Sequence, residues 1–300
     1  MADINLFSLT GEVSELPSKS VSLEKELQTL IEQNMIAFFG ITFLKSEFII
    51  SNGRIDSLGI DENYCPVIFE YKRSLNENVI NQGLFYLDWL LDHKADFKLL
   101  VMDTLGLDKA NKIDWSSPCV ICIANDFTKY DEHAINQMQK NIRLVRYKKF
   151  GDDLLLFEHL NAPNIKPIIT EITESANKKT GIEKTFLQHF ESAPINLKNI
   201  YLSIKDYIMS LGDDITETQL KYYTAFKKNK NIICAEIYSY SSIILLNLKV
   251  NPDDVELIAG FMRDMRNIGH YGTGDLQIMI KTIEDFEKAK SLIDKAYNEN

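Results

Sequence analysis

The seven residues Pro66-Val67-Ile68-Phe69-Glu70-Tyr71-Lys72 constrain the fold of this chain more than any other segment. They read as a strand bounded by the turn-like Asp61-Glu62-Asn63. Side chains alternate along a strand, so Glu70 and Lys72 share one face while Val67 and Phe69 take the other. The short turn predicts a hairpin with residues 54–60, and that pairing carries Asp56 to the same spot. Two carboxylates and an amine would then converge. Such a set suits a hard divalent cation held by one or two carboxylates with several waters retained. The cation would neutralise charge developing on a phosphate and activate a water, while Lys72 held that water or a phosphate oxygen as a compact positive charge. Taken alone, Glu70-x-Lys72 is equally a surface salt bridge, because short motifs match by chance.

The residues that follow add to the pattern. Residues 78–91 are predicted to be a helix, with Val79, Leu84, Leu87, Leu90 and Leu91 supplying an apolar face. Gln82 and Tyr86 lie four apart and so share one side of it. An acid, then acid–x–lysine on a paired strand, then Gln-x-x-x-Tyr on a helix resembles the PD-(D/E)XK nuclease superfamily and its RecB-like branch. The separation of Asp56 from Glu70, and Arg54-Ile55-Asp56 itself, are similar to the archaeal and actinobacterial mismatch endonucleases. Within 22–31, Ser22 can cap a helix whose stripe is Leu23, Leu27, Leu30 and Ile31. Glu24-Lys25-Glu26-Leu27 there is similar to the acid–x–acid–Leu opening of the family's first core helix.

The resemblance implies a restriction-endonuclease-like α/β fold for residues 1–160, shared with the tRNA-endonuclease-like proteins, with a mixed sheet flanked by helices. It implies hydrolysis of phosphodiester bonds, of DNA in repair or defence, with Mg²⁺ or Mn²⁺. Asp56, Glu70 and the Tyr71 carbonyl would hold the ion, and Lys72 would assist the nucleophilic water. Gln82 and Tyr86 would position the strand, and Glu24, or else Glu26, would hold a water at the ion. Acids in a first helical turn also favour its positive end with no catalytic purpose. A catalytically retired fold of the same kind, binding nucleic acid or protein, is the competing reading.

Three hundred residues at 45% hydrophobic content suffice for two cores. Residues 1–11 lack a basic region followed by an apolar core, and the longest apolar run, 35–44, is too short to span a bilayer. A cytoplasmic protein without a membrane span is therefore expected. Cys119 and Cys122 are spaced Cys-x-x-Cys, but residues 118–124 read as one apolar strand with no second pair to complete a zinc site. The net charge of −10 opposes a generally basic nucleic-acid binder and leaves recognition to local patches. Arg73 beside the site is one candidate contact, and Arg143, Arg146, Lys148 and Lys149 form another cluster.

Further elements are predicted as strands at 97–102 and 118–124, a helix at 128–140, and a closing hairpin of 142–147 with 154–159. Residues 161–185, with Pro163, Pro167 and Gly181, read as a linker. Residues 186–300 are expected to form a smaller α+β domain. Its helices are placed at 197–211, 253–266 and 283–297, and its strands at 215–226, 232–238, 242–250 and 276–280. Gly269-His270-Tyr271-Gly272-Thr273-Gly274-Asp275 reads as a turn joining helix to strand. This half resembles a bacterial domain of unknown function, some members of which are labelled predicted transport proteins. From Lys221 to Lys230, Tyr222, Tyr223 and Phe226 alternate with cations, and Lys221, Tyr222 and Lys227 are the nucleic-acid contacts such a face would offer. An aromatic core edge with a lysine-rich turn is the plainer reading. A second copy of the chain is the simplest other partner of this domain.

Overall fold

The computed structural model describes residues 4–19, 24–72, 79–138, 140–151, 153–161 and 184–300. The chain divides into two compact units, Met1–Asn164 and Ile165–Asn300. Most of the segment read as a linker, 162–183, lies outside the described residues.

The first unit runs β1 (Leu6–Ser8), β2 (Ser14–Leu16), β3 (Ser18–Lys19), α1 (Glu24–Phe39), β4 (Thr42–Ile50), β5 (Gly53–Ile60) and β6 (Pro66–Lys72). It continues with α2 (Val79–Asp92), α3 (Lys94–Leu105), α4 (Leu107–Ala110), β7 (Cys119–Ala124), α5 (Lys129–Gln137), β8 (Asn141–Phe150) and β9 (Leu154–His159). A seven-stranded sheet has the order β3-β8-β7-β6-β5-β4, with β9 also paired to β8. It is mixed, because β4, β5 and β6 are successively antiparallel whereas β6, β7 and β8 are parallel.

Helices cover both faces. On α1, Leu27, Ile31, Met35 and Phe39 recur every fourth residue and pack with Val67, Phe69, Tyr71, Ile121, Ile123 and Val145. The opposite face, with Ile55, Leu58, Ile68, Val120 and Leu144, receives Val79, Leu87 and Leu90 of α2 and Phe97 and Val101 of α3. Burial on both faces is why β6 and β7 read as near-continuous apolar runs. The Cys-x-x-Cys is part of that strand, with Cys119 packed on the α1 side and Cys122 on the α2 side.

Residues 97–102 are helical, not a strand, and belong to α3. A six-residue apolar run is compatible with either state. The spacing of the buried pair Phe97 and Val101 is the helical one. The helix predicted at 128–140 is present as α5. Its start follows from the capping box in which Thr128 and Asp131 each bond the other's backbone N–H.

The second unit comprises α6 (Phe186–Ser192), α7 (Ile195–Ser210), β10 (Thr216–Gln219), β11 (Thr224–Lys227), β12 (Asn231–Tyr238), β13 (Ile243–Leu248), β14 (Met262–Asp264), β15 (Leu276–Ile280) and α8 (Ile283–Glu299). It is α+β, with an antiparallel sheet ordered β10-β11-β12-β13-β15-β14. Phe186, Leu197, Ile204, Phe286 and Ile293 from the helices pack on Ile233, Leu246 and Ile278 of one face. On the reverse face Cys234, Asn247, Gln277 and Arg263 fall in one cross-strand row.

Two elements differ from those predicted. Residues 215–226 are a hairpin, because Leu220 N–H donates to the Tyr223 carbonyl and turns the chain. Residues 253–266 do not form a helix. Asn251 caps a single 3₁₀ turn, Gly260 takes a positive φ of 79°, and β14 then pairs with β15.

Gly59 on β5 faces α1 at close quarters. A Cβ there would lie 2.5 Å from an Ile41 methyl and 3.0 Å from the Thr42 carbonyl oxygen. Gly59→Ala should therefore cost about 1–3 kcal/mol of stability, as overpacking generally does. Urea unfolding would register the loss, and an unchanged midpoint would show that β4 can move away.

Candidate active site

The β5–β6 ladder pairs Ile60 with Pro66 and continues to Ser57 with Phe69. At the next position the pattern changes. Asp56 N–H points to Glu70 Oε1 at 3.4 Å, and Tyr71 N–H donates to Asp56 Oδ2 at 3.1 Å. Side-chain carboxylates thus accept where the antiparallel partner's carbonyls otherwise would. The sequence explains the placement, since Glu70 alternates with the buried Phe69 and Tyr71 and projects to the α2 side with Ile68.

Glu70 is only 1% exposed. Burial, then the neighbouring Asp56 charge, pushes its carboxyl up to about 9, although Lys72 and the Asp56 N–H pull the other way. Asp56 is raised as well, again chiefly by burial, against the Tyr71 N–H bond and Lys72. The two carboxyl groups lie within hydrogen-bond reach of each other. Such a pair holds either a proton or a cation between its oxygens. Hard oxygen donors, one of them deeply buried, fit Mg²⁺ or Mn²⁺. Among the described residues, no group of three or more His, Cys, Asp or Glu side chains is placed to hold an ion. Any remaining ligands would be backbone carbonyls, of which Tyr71 is the nearest in sequence, and water.

Behind this pair, α1 supplies a polar contact that the sequence pattern did not reveal. Gln28 is buried, and its amide donates to the Asp56 carbonyl at 2.8 Å, to Glu32 Oε1 at 2.9 Å and to Ser46 Oγ at 3.3 Å. Ser57 Oγ donates to the same Glu32 oxygen at 2.6 Å, and the buried Tyr71 hydroxyl donates to Ser57 Oγ at 3.2 Å. These bonds tie the strand carrying Asp56 to the helix on the far side of the sheet. Glu24, the acid expected from this helix, stands one turn before Gln28 on the same side. The only signal for Gln28 and Glu32 in the sequence is that they follow Glu24 at four-residue steps beside the apolar stripe. Glu47 is a further acid near Asp56. It pairs with Lys25 at 2.9 Å and with Arg54, and its charge adds to the rise at Asp56.

Gln82 and Tyr86 both lie on α2, which packs on β6 and β7. Gln82 is exposed, whereas Tyr86 is buried among Ile55, Leu58 and Leu87. Its ring rests on Gly53, where an added Cβ would meet a ring carbon at 2.9 Å. Tyr86 therefore seats the start of β5 rather than standing on a polar flank. Close approach of α2 to the sheet depends on Gly83, whose Cβ would lie 2.6 Å from Val120 Cγ1. Of the basic candidates, Arg73 lies outside the described residues. Arg146 is committed to Asp126 at 3.0 Å and Glu158 at 2.6 Å.

In the second unit, Lys221 is exposed and Tyr222 half-buried. Lys227 does not suit a nucleic-acid contact. It is 6% exposed, on a strand flanked by two others.

Residues 187–300 match a family described as Domain of unknown function (DUF5655). A Haemophilus influenzae protein described as uncharacterized is 34% identical over 298 residues, covering 96% of this chain and 97% of that protein. Two solved structures share 20% and 19% identity with TM-scores of 0.29. They are a complex of EndoMS with double-stranded DNA and a repair endonuclease from Pyrococcus abyssi, aligned over 43% and 45% of this chain. The chain spans about half the length of each, 47% and 51%.

The pair carries a pH signature. A carboxyl whose folded pKa exceeds its unfolded value keeps its proton longer in the folded state, so stability falls as pH rises through the interval between the two. For Glu70 that interval runs from 4.5 to about 9. Glu70→Gln removes the ionisation, and at about pH 8 in chelator it should melt above the parent protein, the difference vanishing below about pH 4.5. A Tm difference independent of pH would place Glu70 in solvent.

Proposed function

Because this chain belongs to the family of the Haemophilus influenzae protein over nearly its whole length, we propose a function that assigns work to both units. The first is a metal-dependent nuclease of the PD-(D/E)XK kind, acting on DNA, and the second is a recognition domain. The observation that carries this reading is the meeting of Asp56 and Glu70 at the end of the β5–β6 ladder, with Lys72 close enough to lower both pKa values.

Within that reading Asp56 and Glu70 would hold Mg²⁺ or Mn²⁺, with the Tyr71 carbonyl as a backbone ligand. The ion, when bound, would neutralise phosphate charge and make a water acidic enough to attack. Lys72 would then hold the attacking water or a phosphate oxygen. Its four-carbon stem lets a compact charge follow the reacting group. Gln28 would keep Asp56 in place through its backbone carbonyl, so that the carboxylate need not reorganise as charge develops. Tyr86 would fix the approach of β5 through Gly53, and the exposed Gln82 on the same helix would be left to contact the nucleic-acid strand. Glu24, one turn from Gln28, would orient a water at the ion. No helix among the described residues is long and apolar enough to cross a membrane, and nothing in this reading requires one.

The test is incubation of purified protein with labelled single- and double-stranded DNA and RNA, in Mg²⁺, in Mn²⁺ and in chelator. Cleavage should require the metal. Asp56→Asn and Glu70→Gln should each lower the rate at least about 100-fold, the scale of losing a principal electrostatic contribution. Lys72→Ala should lower kcat while sparing metal affinity measured by calorimetry. Cleavage that persists in chelator, or survives Glu70→Gln, would overturn the assignment. Metal binding without any cleavage would favour the retired fold.

A further inference from the structure

On its reverse face the second sheet buries a polar network whose effect is to fix one loop. Asn247 is wholly buried, and its amide nitrogen donates to Glu236 Oε1 at 2.9 Å and to the Tyr271 carbonyl at 3.2 Å. Its amide oxygen accepts from Gln277 Nε2 at 2.9 Å, and the Tyr238 hydroxyl donates to Glu236 Oε2 at 2.7 Å. One residue pair further along the loop, Asn231 Nδ2 donates to Thr273 Oγ1 at 3.1 Å and Thr273 N–H points at Cys234 Sγ at 3.4 Å. Gly272, at φ 74°, leaves no room for a Cβ, which would lie 2.6 Å from the same sulfur. Residues 271–274 are thus held close against the sheet, with the anchors at Tyr271 itself and just after it.

The product of this anchoring is the position of one ring. Tyr271 stacks on Tyr222 with ring centroids 4.7 Å apart and planes at 25°. The exposed Lys221 places its ammonium 4.8 Å from the Tyr222 centroid. Two loops some fifty residues apart in sequence therefore bring two stacked, half-buried rings and an ammonium together. Burying Glu236, Asn247 and Gln277 is costly for a sheet face that apolar residues could fill. A satisfied polar network holds a loop in one arrangement where apolar packing tolerates several.

We propose that Lys221, Tyr222 and Tyr271 form a binding site for an unpaired nucleobase and its adjoining phosphate in single-stranded nucleic acid. An incoming base would stack on the ring pair, and the exposed Lys221 beside it would reach the adjoining phosphate. A duplex offers no such base, because both faces of each base are already stacked. The choice of nucleic acid over other ring-bearing anions rests on the nuclease reading. Lys227, being buried, takes no part, and Lys228 is held over Tyr297 at 3.9 Å.

The experiment is fluorescence anisotropy of the full chain in chelator with labelled 20-nucleotide poly-dT and poly-rU. An abasic phosphodiester of equal length and a blunt DNA duplex serve as controls. Poly-dT or poly-rU should bind more tightly than the abasic strand and the duplex, and the better of the two names the natural strand. Tyr222→Ala and Tyr271→Ala should each weaken binding at least about fivefold, the lower end of the range for one base–aromatic stack. Tyr271→Phe should restore binding, and Lys221→Gln should reduce the salt slope by about one. Melting curves report whether each variant is folded. If Tyr271→Ala unfolds, Tyr222→Ala and Lys221→Gln decide the matter, since both change exposed or half-buried groups. Equal affinity for the abasic strand, tighter binding to the duplex, or a folded Tyr222→Ala that binds as the parent would overturn the proposal. Cleavage in Mg²⁺ by a protein that fails these binding tests removes this site alone. Intact binding by a protein that never cleaves removes the nuclease alone.

Discussion

Where the β5–β6 ladder stops at Ser57 and Phe69, Asp56 and Glu70 accept from backbone donors of the opposing strand, and the rest of the candidate site depends on that exchange. A regular antiparallel pair would have satisfied those N–H groups with carbonyls and left both carboxylates to solvent. Instead two acids are drawn out of water, which raises both pKa values and creates a demand for positive charge. A proton meets the demand weakly, Lys72 partly, and a divalent cation most fully. In the proposed nuclease, the burial that raises both pKa values would prepare a place for an ion.

The two faces of the sheet divide the work. On the α2 side lie the carboxylates, together with Cys122, whose thiol is pushed up by burial and by Glu70 and so stays protonated. On the α1 side lie Glu32, Ser57 and the Tyr71 hydroxyl, a polar chain inside an otherwise apolar cluster. Gln28 joins the layers by reaching the Asp56 carbonyl. The helix therefore holds the strand that carries Asp56 through a backbone atom and leaves the Asp56 carboxylate free of that contact. The second unit repeats the device in another form, with Asn247 and Glu236 holding a loop from beneath so that Tyr271 is presented above.

Much of this was legible in the residues. The strand at 66–72, the hairpin with residues 54–60, the helix carrying Gln82 and Tyr86, and Leu27 and Ile31 of the α1 stripe follow from periods of 2 and 3.6, whereas Leu30 of that stripe is exposed. The mixed sheet flanked by helices and the smaller α+β unit are the architectures those elements implied. The failures have local causes. Residues 97–102 form a run too short for its period to separate helix from strand, and 253–266 carry helix-like spacing that Gly260, at positive φ, interrupts. Lys227 looked solvated because alternation with aromatics reads as a surface stripe, whereas it lies buried on a strand flanked by two others.

By itself the sequence determined which side chains could share a face, because alternation along a strand and return along a helix are properties of the backbone. That was enough to put Asp56, Glu70 and Lys72 together and to suggest the chemistry they could support. Only the tertiary structure decided what surrounds them. Gln28 is buried on the Asp56 carbonyl from a helix 28 residues earlier, and Tyr86 seats Gly53 rather than facing a cleft. Tyr222 likewise meets Tyr271 across 49 positions. Such contacts depend on where separate elements come to rest against one another, and the distances along the chain carry no periodic signal of them.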